Sequence, residues 1–142
     1  MTNIAIASDH AGFEYKEVIK SHLKSKGFSV HDFGTDSIKP VDYPGFVRGA
    51  ANAVADSQCD LGIILGGSGN EAIVANRLIG IRCAVVWNNQ TAQLSMEHGD
   101  CNMIAIGQRM MTKDEAIAAV DLWLNSEFKG GRHQRRIDQI DV

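Results

Sequence analysis

The chain has 142 residues, a formal net charge of −3, 44% hydrophobic and 22% charged residues, the balance of one soluble globular domain able to bury its own core. That charge gives no electrostatic reason to expect nucleic acid or an anionic membrane as a partner, and no apolar run approaches the roughly 20 residues of a spanning helix. No signal-peptide pattern opens the chain, and three widely spaced cysteines, Cys59, Cys83 and Cys101, suit reduced thiols in a cytoplasmic protein rather than a disulfide framework or a zinc site.

Short apolar runs alternate with amphipathic stretches. Asn3 to Ala7 reads as a buried strand. Phe13 to Lys26 reads as a helix with Tyr15, Val18, Ile19 and Leu23 on one face and lysines elsewhere, stopped by Gly27. Phe28 to Phe33 is a second strand, followed by a polar connection from Asp36 to Asp42. Tyr43 to Asp56 is an Ala-rich helix with Pro44 in its first turn, where a missing N–H costs little.

Leu61 to Leu65 is a third strand that runs into Gly66-Gly67-Ser68-Gly69-Asn70 and a short helix ending near Arg77. Ile81 to Val86 and Met103 to Ile106 are strands, with Asn89 to His98 helical between them. Thr112 and Glu115 form a capping-box pattern that opens a helix carrying Ile117, Val120 and Leu124. A basic tail follows Gly130-Gly131, and Ile137 and Ile140 give it an apolar face to dock. Trp87 and Trp123 read as packing residues, His22 and His31 as structural or surface residues. This alternation predicts a doubly wound α/β fold, Rossmann-like, in three layers: a five-stranded parallel sheet between helices, with a C-terminal helical tail, all in one domain spanning 1–142. A flavodoxin-like order, 2-1-3-4-5, would set the loops Ser8–Gly12 and Gly66–Asn70 side by side at the switch point.

Those two loops hold the residue types with chemistry. Successive glycines let backbone N–H groups converge on an anion. Gly66 to Asn70 has neither a Walker lysine nor a full dinucleotide fingerprint, and alone it equally fits a tight turn. Glu71, next in the chain, could take a proton from carbon or simply favour a helix start. Asp9 and His10 follow the first strand, where Asp9 could cap a helix and His10 could bind phosphate. His98 ends a helix and fits either a general acid–base or a favourable charge there. Arg109 and the run Arg132-His133-Gln134-Arg135-Arg136 offer guanidinium forks suited to phosphate.

Taken together, Ser8-Asp9-His10-Ala11-Gly12, Asp42-Tyr43-Pro44, Gly67-Ser68-Gly69 with Ala75-Asn76-Arg77, Gly80-Ile81-Arg82, Glu97-His98 and Arg132-His133-Gln134-Arg135-Arg136 resemble the ribose-5-phosphate isomerase B family, which includes galactose-6-phosphate isomerase subunits. The resemblance implies an aldose–ketose isomerase that works through a cis-enediolate without metal or organic cofactor. It also implies a homodimer with shared active sites, and leaves open whether dimers pair into tetramers. Many members carry a catalytic Cys where this chain has Gly66; Glu71 resembles the base of a branch that lacks it. By the same resemblance, His98 and Asp9 assist ring opening, and Ser68 with the N–H groups of Gly67, Gly69 and Asn70 holds the enediolate oxygen. His10, Arg109, Arg132 and Arg136 hold the phosphate, and Tyr43 lines the sugar site. The family's usual loop is one residue longer, and Asn usually stands at the position of Gly99. Three other readings stay open: an isomerase of a tetrulose or hexose phosphate, a non-catalytic sugar-phosphate-binding relative, and a nucleotide- or flavin-binding module.

Overall fold

Alternation of side chains along three central strands decides which helix meets which face of the sheet. In a computed structural model describing residues 1–142, the strands are β1 (Asn3–Ser8), β2 (Ser29–Asp32), β3 (Leu61–Gly66), β4 (Cys83–Val86) and β5 (Met103–Gly107), all parallel. The helices are α1 (Phe13–Ser25), α2 (Tyr43–Ala55), α3 (Ala72–Ala75), α4 (Asn89–Glu97), α5 (Lys113–Asn125) and α6 (Arg132–Ile137). Ile4, Ile6, Ile63, Leu65, Ile104 and Ile106 point to one face, where Ile19 and Leu23 of α1, Ala92 of α4, and Ala119, Val120 and Trp123 of α5 cover them. Ala5, Ala7, Ile64, Met103 and Ala105 point the other way, against Val47, Ala50, Ala51 and Val54 of α2 and Ala72 and Ala75 of α3. The small residues on this second face let α2 and α3 sit close to the sheet. Trp123 is fully buried, and its indole N–H donates to the Cys101 carbonyl at 3.2 Å.

The strand order is β2-β1-β3-β5-β4. It corrects the expected 2-1-3-4-5: β5 lies between β3 and β4, pairing Ile63 with Ile104 and Ala84 with Ile104. The α3 crossover carries the chain two positions outward on the α2 face, and α4 returns on the other face to fill the gap. Each crossover keeps the right-handed sense that twisted strands require. β5 is accordingly buried along its whole length, and β4 is the edge. Trp87, just past β4, is 55% exposed and does not pack in the core as expected, whereas Trp123 does.

The switch point between β1 and β3 survives this change of order. The Asp9 N–H donates to the Leu65 carbonyl at 3.3 Å, so the loops Ser8–Gly12 and Gly66–Asn70 lie side by side as expected. Glycines make the approach possible. A Cβ at Gly12 would stand 2.7 Å from the Gly66 nitrogen and 2.5 Å from the Leu65 oxygen, and one at Gly107 would stand 2.6 Å from the Ser68 carbonyl carbon. The loops after β1, β3 and β5 are thus in backbone contact at one edge of the sheet. Gly12→Ala is expected to cost about 1–3 kcal/mol, since rigid backbone must move to admit the methyl. Gly45→Ala, at an exposed α2 position with open space around it, is expected to be neutral or to gain up to about 1 kcal/mol. Denaturant titration of both variants checks the contrast.

Candidate active site

At that edge the Gly66–Asn70 loop is held through its carbonyls, which leaves the N–H groups after Gly66 unused. The Gly66 and Gly67 carbonyls accept from the N–H groups of Gln108 (2.7 Å) and Arg109 (3.1 Å), and the Gly69 and Asn70 carbonyls accept from Ala72 (3.2 Å) and Ile73 (3.0 Å). The N–H groups of Gly67, Ser68, Gly69 and Asn70 donate to no protein acceptor. Gly69 holds φ at +91°, a conformation that favours glycine. A run of free backbone donors of this kind is able to receive an anion.

Glu71 sits at the N-cap of α3 yet caps nothing, because its side chain accepts no helix N–H. It is 4% exposed and folds back beneath the loop: a Cβ built on Gly66 would overlap its carboxylate. Burial pushes its carboxyl above the ordinary glutamate range, and the negative charge of Asp9 adds to the effect. Its backbone still opens α3, with the Glu71 carbonyl accepting the Val74 N–H at 3.1 Å, so the residue stands at the helix start while its carboxylate is turned under the loop. For Asp9 the capping reading holds in part, since Oδ1 accepts the Gly12 N–H at 3.1 Å while Oδ2 accepts none from the protein. His10 accepts the Val41 N–H at Nδ1 (3.1 Å), so its neutral ring carries the proton on Nε2. Arg109 lies against the glycine loop, where a Cβ on Gly67 would meet its Nη1 at 2.9 Å. Gln108 and Tyr15 fix the strand end that carries it: Gln108 Oε1 accepts the Tyr15 N–H at 3.1 Å, and the Tyr15 hydroxyl donates to the Met111 carbonyl at 2.8 Å. Tyr43 opens α2 at the same edge, half-buried.

His98, Arg132 and Arg136 are elsewhere. Helix α4 starts after the C-terminal end of β4 and runs back, so its last residue reaches the opposite edge of the sheet, about 13 Å along nine residues of helix. His98 is exposed there, stacked on His133 with ring centroids 4.3 Å apart and planes 13° from parallel. Arg82 holds the turn beyond it, donating to the carbonyls of Gly99 (3.0 Å) and Asp100 (2.7 Å). A Cβ on Gly99 would meet both Cys101 Sγ and the Ser95 carbonyl oxygen at 2.9 Å, so the asparagine usual in the family has no room here. Within one chain the tail is lightly held. No residue of α6 is buried and Ile140 is 57% exposed; the contacts are the His133 stack, the Lys129 N–H to the Glu97 carbonyl (2.9 Å) and the Gly80 N–H to the Asp141 carboxylate (2.8 Å). Partial burial, with His98 and the charges of Arg132 and Arg136, pushes His133 below its ordinary value.

One chain thus brings Asp9, His10, Tyr43, Gly67 to Glu71 and Arg109 to one edge, and His98, Arg132 and Arg136 to the other. His133 joins the second cluster; its place within the basic run was the signal for it. The thiols are poor nucleophiles: burial pushes Cys101 up to about 11 and Cys83 higher still.

A buried carboxylate next to a loop with free N–H groups lies at the C-terminal edge of a parallel sheet, the edge where α/β folds bind ligands, and such a pair is chemically able to move a proton near a developing anion. The ribose/galactose isomerase family model matches residues 4–140, and the chain belongs to that family. It is 46% identical over 138 residues to ribose-5-phosphate isomerase B of Mycolicibacterium paratuberculosis, covering 95% of this chain and 87% of that one. It is 41% identical over 141 residues to the Escherichia coli protein of the same name, covering 99% and 95%. Among solved structures, ribose-5-phosphate isomerase B of Clostridium thermocellum superposes with a TM-score of 0.97 at 44% identity, covering 99% of this chain and 95% of that chain. The Mycoplasma genitalium enzyme with bound ribulose-5-phosphate gives 0.94 at 42%, covering 98% and 93%.

The raised Glu71 carboxyl has a cost in stability with a definite sign. Below the ordinary glutamate range the group is protonated in both folded and unfolded chains and costs nothing. As pH rises, the unfolded chain releases this proton first, so stability falls until the pH passes the raised folded value. Glu71→Gln is therefore expected to melt higher than the parent at neutral pH, with the gap closing below the ordinary carboxylate range. Thermal unfolding at the two pH values measures it.

Proposed function

We propose that the chain interconverts ribose 5-phosphate and ribulose 5-phosphate, with Glu71 as the carbon base. The observation that carries this reading is the buried Glu71 carboxylate packed against Gly66, at the root of a loop with four free N–H groups. A single carboxylate facing two adjacent carbons takes the C2 proton of the aldose and returns it to C1. The oxygen that gains negative charge lies against those N–H groups, where such donors are typically worth roughly 3–4 kcal/mol of barrier. Ser68 adds a hydroxyl at the same turn. His10 donates from Nε2, and with Arg109 it receives the phosphate.

Glu71 stands in for the cysteine of other members through volume. Its carboxylate fills the space that a side chain at position 66 would enter, so glycine at 66 and glutamate at 71 belong together. The short loop leaves Glu71 at the N-cap, outside the first turn of α3, and this lets its side chain fold back under Gly66.

His98, Arg132 and Arg136 enter from a second copy of the chain. They sit together at the far edge of their own sheet, exposed, and neither arginine has an acidic partner. A two-fold dimer that sets this edge against the partner's glycine loop completes two equivalent sites at once. The partner's His98 then works with Asp9 in opening the sugar ring, and the partner's Arg132 and Arg136 close on the phosphate.

A panel of phosphosugars of four to six carbons tests the activity; fastest turnover is expected on ribose 5-phosphate, and a tetrose or hexose winning the panel overturns the substrate assignment. Glu71→Gln should keep substrate binding and lose about 10²–10⁴-fold in kcat, with solvent deuterium no longer entering recovered substrate. Cys101→Ala should stay near parental rate, and its inactivation would return the thiol to consideration.

The shared site has its own test. Glu71→Gln and Arg136→Ala, each inactive alone, are mixed and allowed to exchange subunits. A mixed dimer regains one intact site, so activity is expected to return. Exchange verified by mass spectrometry with no activity would place base and clamp on the same subunit.

A further inference from the structure

A buried lysine lies outside everything described so far. Lys16 of α1 is 1% exposed, and its ammonium donates to both oxygens of Asp32, at 2.8 and 2.6 Å, with the Phe13 ring 5.2 Å away. Removing a lysine from water is costly, and a buried ion pair often contributes no more stability than an apolar pair of equal volume. The pair calls for another account, and the hydrogen bonds supply one.

Asp32 ends β2, and its Oδ1 also accepts the Gly34 N–H at 2.8 Å. The Gly34 carbonyl accepts the Ser8 N–H at 2.7 Å, and the Thr35 N–H donates to the Ser8 carbonyl at 2.8 Å. Ser8 is the residue before Asp9. Six residues beyond Thr35, in the same connecting segment, the Val41 N–H donates to His10 Nδ1. The segment between β2 and α2 is thus fastened at its start to Asp32 and Ser8, and at its end it decides which nitrogen of His10 carries the proton. Burial raises the Asp32 carboxyl, but hydrogen bonds from Lys16, Lys20 and Gly34 outweigh it and hold the group below its ordinary range, as a permanent anion at neutral pH.

We propose that Lys16 and Asp32 are positioning residues for the reaction: they lock the 33–42 segment against Ser8 so that His10 presents Nε2–H to the substrate. The ammonium fixes the carboxylate, the carboxylate fixes Gly34, and the segment delivers Val41 to the ring. Lys20, which also donates to Asp32 at 2.8 Å, is more exposed and replaceable by water. The inference rests on the reading of His10 as a phosphate ligand, and its test separates the two.

The variant is Lys16→Met/Asp32→Leu, which replaces the ion pair by apolar side chains. Nitrogen NMR on 15N-histidine protein, with His10 assigned by difference from His10→Gln, reads the tautomer directly. The double variant is expected to fold with a melting temperature near the parent's. Its His10 should show mixed Nδ1–H and Nε2–H forms, its KM should rise at least tenfold, and kcat should change less. Lys20→Ala should match the parent in all three. If the double variant does not fold, Asp32→Asn, which keeps the volume and an acceptor for Gly34, is expected to shift tautomer and KM in the same direction by less. Retention of the Nε2–H form in whichever variant folds overturns the proposal, whatever happens to the rate. A mixed tautomer with unchanged KM upholds the fastening and instead removes His10 from the phosphate site.

Discussion

Backbone contact between three loops is the constraint on which this site depends. Gly12 and Gly107 flank the turn after β3 so closely that a methyl group at either would strike main-chain atoms. Because nothing stands between the loops, Asp9 beyond β1, Glu71 beyond β3 and Arg109 beyond β5 gather at one edge of the sheet, the latter two against the same glycine turn. The strand order contributes by placing β1, β3 and β5 adjacent at the middle of the sheet. With β4 in the third position, Arg109 would sit one strand farther away. The order found in the structure thus suits the chemistry better than the one the alternation suggested.

Much of this was legible in the residues. Strand and helix bounds follow from apolar periodicity, and the Thr112–Glu115 capping box forms as its spacing predicts, with the Glu115 N–H on the Thr112 hydroxyl and the Thr112 N–H on the Glu115 carboxylate. Nothing local distinguishes β4 from β5, since Cys-Ala-Val-Val and Met-Ile-Ala-Ile are both continuous apolar runs; which becomes the edge depends on how far the α3 crossover reaches. Lys16 illustrates the same limit. It belongs to a helix whose lysines read as a solvated face, and only Asp32, sixteen residues away, makes burial tolerable. Trp87 turns outward instead of into the core, since an aromatic at a strand end has no periodic neighbour to say which way it turns. Ile137 and Ile140 point to a docked tail, and within one chain the contact that seats it is a ring on a ring, His133 on His98.

The separation of the two polar clusters follows from elementary geometry. In a parallel sheet every covering helix begins at the edge where strands end and finishes at the other. A residue at a helix C-terminus, such as His98, is therefore kept from the glycine loops of its own chain by the length of that helix. Any chemistry that needs both must draw them from different copies.

The overlap between position 66 and the Glu71 carboxylate constrains how such a site can change over generations. On the reading of Glu71 as the carbon base, a cysteine introduced at 66 meets the end of the Glu71 side chain and has to displace that carboxylate from its buried position, while loss of the glutamate first removes the proposed base. Each substitution then acts on a background that the other one improves, a case of epistasis set by the volume of one side chain. A lineage that holds either arrangement is biased toward keeping it by packing alone.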